Sequence, residues 1–141
     1  MPGDFFDTNV LLYIASGRSE KADRAEALVR NGGTISVQVL NEIANVARRK
    51  MGLSWSEAHG FLELIRGLLP VEPVTTATHE TGLALAERYG LSIYDAMIAA
   101  SALLAGCGRL WSEDMQHGMV IDRKLRIADP FREPTAAASP G

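Results

Sequence analysis

A single cysteine, Cys107, stands in a chain of 141 residues, so an internal disulfide is excluded. That fits a reducing compartment such as the cytoplasm. No basic start followed by an apolar run occurs at Met1-Pro2-Gly3-Asp4, and no secretory leader is expected. No apolar stretch reaches the length of a bilayer. The most apolar, Ile93 to Ala105, is too short and contains Asp95, so it reads as a buried helix. Only three histidines are present (His59, His79 and His117), and their spacing does not match a zinc site. Excess positive charge is missing as well. The net charge of −3 argues mildly against gripping a polyanion by bulk electrostatics.

What remains is ordinary for a globular domain: 47% hydrophobic and 22% charged residues. A chain of this length buries roughly two-thirds of its unfolded surface. Residues 1–131 are expected to form one domain, and the Ala/Ser/Pro-rich stretch 132–141 a disordered tail. There is no internal repeat.

Candidate strands alternate with helical patterns. Phe5-Phe6 reads as a short first strand ending at Asp7. Helices are expected over Val10–Ala15 and Ala22–Val29. Gly32-Gly33 then breaks the chain before a strand at Thr34-Ile35-Ser36. Val37–Lys50 reads as a helix. Ser54 with Glu57 forms a capping box that opens a helix to about Leu69. Pro70–Val74 allows a short edge strand, limited by its prolines. A helix from Thr76 or Thr78 ends at Gly90. Ser92 with Asp95 suggests a second capping box, leading a helix to Ala105. Arg109–Trp111 and Met119–Ile121 read as the last strands. Such alternation implies a mainly parallel sheet with helices on both faces, a three-layer α/β/α sandwich.

Four acids stand where the pattern calls for an apolar side chain or a strand end: Asp7, Glu42, Asp95 and Asp114. In open parallel sheets ligands collect at carboxyl ends of strands, where Asp7 and Asp114 fall. An acid there is equally well a helix cap. Glu42 lies over Val39 and Val46 on the apolar stripe of its helix, so it should point inward; a buried salt bridge to Arg49 is the plainer account. Asp95 shares its face with Ile98, Ala99 and Ala102, or it merely completes the Ser92 capping box. If the four converge, their repulsion requires a cation. All-oxygen, all-acidic donors suit Mg²⁺ or Mn²⁺. Neutralising four acids also makes the remaining chain slightly positive. The basic groups Arg48-Arg49-Lys50, Arg18/Lys21/Arg24 and Arg123-Lys124-Arg126 read first as solvated faces. Cys107 reads as a small buried residue.

The segments Phe6-Asp7-Thr8-Asn9-Val10-Leu11, Asn41-Glu42-Ile43, Ser92-Ile93-Tyr94-Asp95-Ala96, Leu110 to Gln116 and Ile127 to Phe131 resemble the PIN domain family, and within it the VapC-type toxins of toxin–antitoxin pairs. The resemblance implies a Mg²⁺-dependent endoribonuclease that cuts structured cellular RNA, transfer or ribosomal, leaving a 3′-hydroxyl and a 5′-phosphate. The family's acidic quartet falls on Asp7, Glu42, Asp95 and Asp114, as metal-binding and catalytic residues. Its supporting polar groups fall on Thr8, Asn9 and Ser112. A VapB-type antitoxin is implied as partner, inserting an apolar helix into a groove to which Trp55 would contribute. A homodimer is implied too. The chain departs from some relatives at His117, near which they carry a further acid; a second metal site is then expected to be weak, or filled only when substrate phosphate supplies ligands.

Two other classes compete. A PIN-like fold kept as an inactive interaction module would have no use for four repelling acids. A phosphotransfer α/β domain also uses a strand-end Asp. Its phosphatase version needs an acid two residues later, where this chain has Asn9.

Overall fold

A computed structural model describes residues 3–17 and 19–132. The tail expected at 132–141 therefore lies outside the described residues except for Arg132, as do Met1, Pro2 and Arg18. The elements run β1 (Asp4–Phe6), α1 (Thr8–Ser16), α2 (Glu20–Arg30), β2 (Ile35–Ser36), α3 (Val37–Arg49), α4 (Trp55–Leu68), β3 (Val71–Glu72), α5 (Thr76–Tyr89), α6 (Ile93–Leu104), β4 (Arg109–Trp111), β5 (Val120–Ile121) and β6 (Leu125–Ala128). The fold is the expected α/β sandwich with a mainly parallel sheet.

The main sheet has the order β1-β4-β6-β5; β1, β4 and β6 are parallel, and β5 is antiparallel to β6. A second, parallel pair joins β2 to β3. The two sheets meet at one bridge between Phe5 and Thr34, where Phe6 N donates to Thr34 O at 3.1 Å and Thr34 N to Asp4 O at 2.9 Å. Phe5, Phe6, Ile35, Leu110 and Ile127 are fully buried along these strands. The helices close over them with Leu11, Ile43, Ile65 and Ile98.

Most boundaries fall within a residue or two of the sequence expectation, and one strand was not expected. Met119–Ile121 is not the last strand: the chain turns and returns as β6, between β5 and β4. The turn is tight. Lys124 N donates to Ile121 O at 3.0 Å, and both central residues, Asp122 and Arg123, have positive φ, 51° and 59°. That is the hairpin geometry usually built with Asn-Gly or Gly-Gly. Here the strain is offset by α5: Tyr89 Oη accepts from Asp122 N at 2.9 Å, and Arg88 Nη1 donates to Asp122 Oδ1 at 2.8 Å.

The caps follow the sequence with one correction. The Ser54–Glu57 box is complete. The second box is only half formed: Ser92 Oγ accepts from Asp95 N at 3.2 Å, without the return bond from the Asp95 carboxylate to the Ser92 N–H. The Asp95 carboxylate is thereby left for other uses. Among the described residues no helix is long and apolar enough to cross a membrane.

Candidate metal centre

Asp7 sits at the end of β1 and caps α1, so the capping account of this residue holds. It does not exhaust the carboxylate. Oδ1 accepts from Thr8 N at 2.7 Å; Oδ2 accepts from Ser112 Oγ at 2.7 Å and from Asn9 Nδ2 at 3.1 Å. The residue is 3% exposed. Burial pushes its pKa up to about 7, against the bonds from Ser112 and Thr8, with the charges of Asp95 and Glu42 adding to the rise. A cap would be as well served by a serine, so the buried acid marks a candidate functional site.

The supporting side chains interlock. Ser112, fully buried just after β4, also accepts from Met115 N at 3.1 Å. Asn9 Oδ1 accepts from Glu113 N at 3.1 Å, tying the loop after β4 to the first turn of α1. Thr8 departs from the simplest expectation: its hydroxyl donates to Glu42 Oε1 at 3.1 Å, while its backbone serves Asp7. The dipeptide Asp7-Thr8 thus holds two acids at once.

Glu42 is half-buried on α3, turned inward as its stripe predicts. The salt bridge to Arg49 is absent; Arg49 is exposed. Gln38 Nε2, one turn earlier, donates to Glu42 Oε2 at 2.9 Å. Asp95 is half-buried at the start of α6. Burial pushes its pKa up against Ser92, and the charge of Asp114 adds to the rise. Asp114 is exposed in the bend after β4.

The four acids are therefore coupled in a chain, Glu42 to Asp7 to Asp95 to Asp114. They do not form a closed ring of ligands. Among the described residues no three acidic, histidine or cysteine side chains lie close enough to hold one ion. Equally, no lysine or arginine pairs with any of the four; the ion pairs of the described residues are Lys21–Glu113, Arg88–Asp122 and Arg109–Asp4. A buried carboxylate beside other carboxylates, without a cation, is a donor set that suits a hard divalent metal. His117 is not an extra donor to this group: its Nδ1 accepts from Asp129 N at 3.0 Å.

Two features escaped the sequence. Gln38 was hidden because a glutamine on a helix carries no motif. Glu113, beside the fourth acid, joins Tyr13 Oη (donating at 2.7 Å) and the Lys21 ammonium. Lys21 also lies 5.0 and 5.1 Å from the ring centres of Tyr13 and Phe131, so it is no freely solvated cation. Trp55 is 63% exposed at the start of α4, with the Arg48 guanidinium 4.2 Å from its ring centre.

The sequence over residues 5–118 matches the family model described as PIN domain. Several solved structures are similar. A toxin–antitoxin complex from Klebsiella pneumoniae has a TM-score of 0.71 at 20% identity, over 92% of this chain and 99% of that one. DNA-bound VapBC from Salmonella typhimurium gives 0.65 at 22%, over 92% and 99%. VapC from Mycobacterium tuberculosis, a sarcin–ricin-loop-cleaving toxin, gives 0.64 at 22%, over 79% and 89%. Identities this low speak to the fold. No curated protein sequence gives a significant match.

Proposed function

We propose that this chain, which belongs to the PIN domain family, is a Mg²⁺-dependent endoribonuclease and the toxin of a toxin–antitoxin pair. The observation that carries the activity is Asp7: a buried carboxylate with three hydrogen-bond donors, two acidic neighbours and no cationic partner among the described residues.

Asp7, Asp95 and Asp114 are the direct ligands in this account, and Glu42 a ligand through water or a guide for the nucleophile. Bound Mg²⁺ or Mn²⁺ would supply charge neutralisation and Lewis-acid activation at a scissile phosphodiester. The protein's own part is orientation. Ser112 and Asn9 fix the plane of the Asp7 carboxylate, and Thr8 and Gln38 fix Glu42. Burial raises the pKa of Asp7, so an ion bound there would compete with its proton.

Neighbours described as toxin–antitoxin and VapBC complexes support a VapB-type antitoxin as partner. The M. tuberculosis neighbour's sarcin–ricin loop supports structured RNA as substrate, ribosomal or transfer. Cytoplasmic action and a homodimer complete the proposal. Incubation of the purified chain with total cellular RNA, with and without Mg²⁺, tests it: discrete metal-dependent cuts are expected.

One observation favours a rival: among the described residues no three acidic, histidine or cysteine side chains are gathered round one point. An inactive PIN-like module would keep them apart permanently. Calorimetric titration with Mg²⁺ separates the two, since only the nuclease gives a binding heat that Asp7→Asn removes.

A further inference from the structure

We infer that the groove beside Glu42 holds an unpaired nucleobase next to the bond to be cut, read by the carboxamides of Asn41 and Asn45 and stacked by Tyr94. This inference rests on the ribonuclease activity proposed above and names how that site would choose its RNA.

The groove has a volume of about 580 Å³, within the range of sites that enclose a small ligand. Glu42 itself lines it, so the groove reaches one of the four acids directly. Gln38, Asn41, Glu42 and Asn45 all contribute, and their spacing of three, four and seven residues puts them on one face of α3. Val37, Val46 and Val74 supply the apolar surface. Across the groove Tyr94 is 71% exposed, and its hydroxyl makes no hydrogen bond among the described residues.

Three facts point to a base rather than a phosphate or a solvated surface. The groove has no lysine or arginine among its lining residues, and Glu42 would repel an anion. Asparagine is a poor helix former, yet two sit exposed in the middle of α3. Neither side chain makes a hydrogen bond among the described residues, so the fold gains nothing visible from them. A carboxamide presents a donor and an acceptor side by side, which matches the edge of a base. Unstacked bases of single-stranded RNA characteristically stack on an aromatic ring and are read at their edges by such groups.

Gln38 is already committed and acts as a positioning residue. Its Nε2 donates to Glu42 Oε2 at 2.9 Å and to Tyr94 O at 3.2 Å. It therefore ties Glu42 to the backbone at Tyr94.

The test uses the full chain and a single-stranded RNA of randomised sequence, with cut ends mapped by sequencing. The wild type should prefer particular bases at one position beside the cut. The double variant Asn41→Ala/Asn45→Ala should flatten that preference, with the largest loss of cleavage at the bases the wild type prefers. Tyr94→Ala should raise KM roughly ten-fold for all sequences, with kcat retained. Unchanged preference and unchanged KM in both variants would overturn the inference. If the wild type cuts no RNA, the activity itself has failed, and the groove is judged separately. The Asn41 and Asn45 side-chain amide resonances are then followed during titration with RNA tetranucleotides in EDTA. Shifts at those amides support the base site. No shift overturns it, as does a response only to an antitoxin-derived peptide.

Discussion

Ser112 Oγ donates to Asp7 Oδ2 at 2.7 Å and accepts from Met115 N at 3.1 Å, so one hydroxyl joins the strand-end acid of β1 to the loop that carries Asp114. Replacing it with alanine leaves a buried carboxylate oxygen and a buried N–H without that partner. Ser112→Ala should lower Mg²⁺-dependent cleavage by about 10- to 100-fold and stability by about 1–3 kcal/mol. Initial rates and thermal melts check both numbers. Full activity in the variant would mean that Asp7 is oriented by other groups.

Asp7→Asn should reduce cleavage to background while the chain still unfolds cooperatively. The amide keeps the shape and removes a buried charge that no cation of the described residues offsets. In EDTA at pH 8 its melting temperature should equal or exceed that of the wild type. Retained cleavage would take Asp7 out of the site.

The titration of Asp7 gives a pH dependence with a definite sign. Its folded pKa, about 7, lies above the ordinary 3.8. The stability it contributes is full below the ordinary value and is lost progressively as pH rises to about 7. In metal-free buffer the wild type should therefore lose stability between pH 4 and 7 relative to Asp7→Asn, by a few kcal/mol. Adding Mg²⁺ should reverse the loss, and more so at pH 8 than at pH 6, because the ion binds the ionised form. Parallel melting curves for the two proteins across this range would contradict the assignment.

Gly33→Ala should destabilise the fold by about 1–3 kcal/mol. A β-carbon there would lie 2.4 Å from Phe6 Cε2 and 3.0 Å from Asp4 O, and Phe6 is fully buried. The strand pushed aside is the one that ends at Asp7, so cleavage should fall along with the denaturation midpoint.

Trp55→Ala should weaken antitoxin binding by about ten-fold or more, since an exposed aromatic is a common anchor of interfaces. Its 63% exposure makes the change nearly silent for stability. Surface plasmon resonance with the proposed antitoxin is the measurement, and unaltered affinity would remove Trp55 from that surface.

Much of this was legible because the signals are local. Ser54-Trp55-Ser56-Glu57 names its own helix start, and Gly90 its helix stop, with φ of 70°. Glu42 was legible from the period of α3, which left no polar reason for an acid on that stripe. What stayed hidden depended on distant partners. The turn at Asp122-Arg123 carries no glycine, because Tyr89 and Arg88, more than thirty residues earlier, hold it in place. Without that cue β6 went unseen, although Leu125 and Ile127 alternate with Arg126 in the pattern of a strand. The sequence allowed the four acids to meet over one edge of the sheet, but could not say how far apart they stand, since that spacing is set by packing between elements.

The lone contact between Phe5 and Thr34 bears on that spacing. Asp7 rides on one sheet, and Glu42 on the helix that continues directly from a strand of the other. A seam two hydrogen bonds long, with the Thr8–Glu42 clasp beside it, joins the parts of the fold that carry those two acids. A change in their separation would strain this narrow joint, which is shorter than the ladder between β1 and β4.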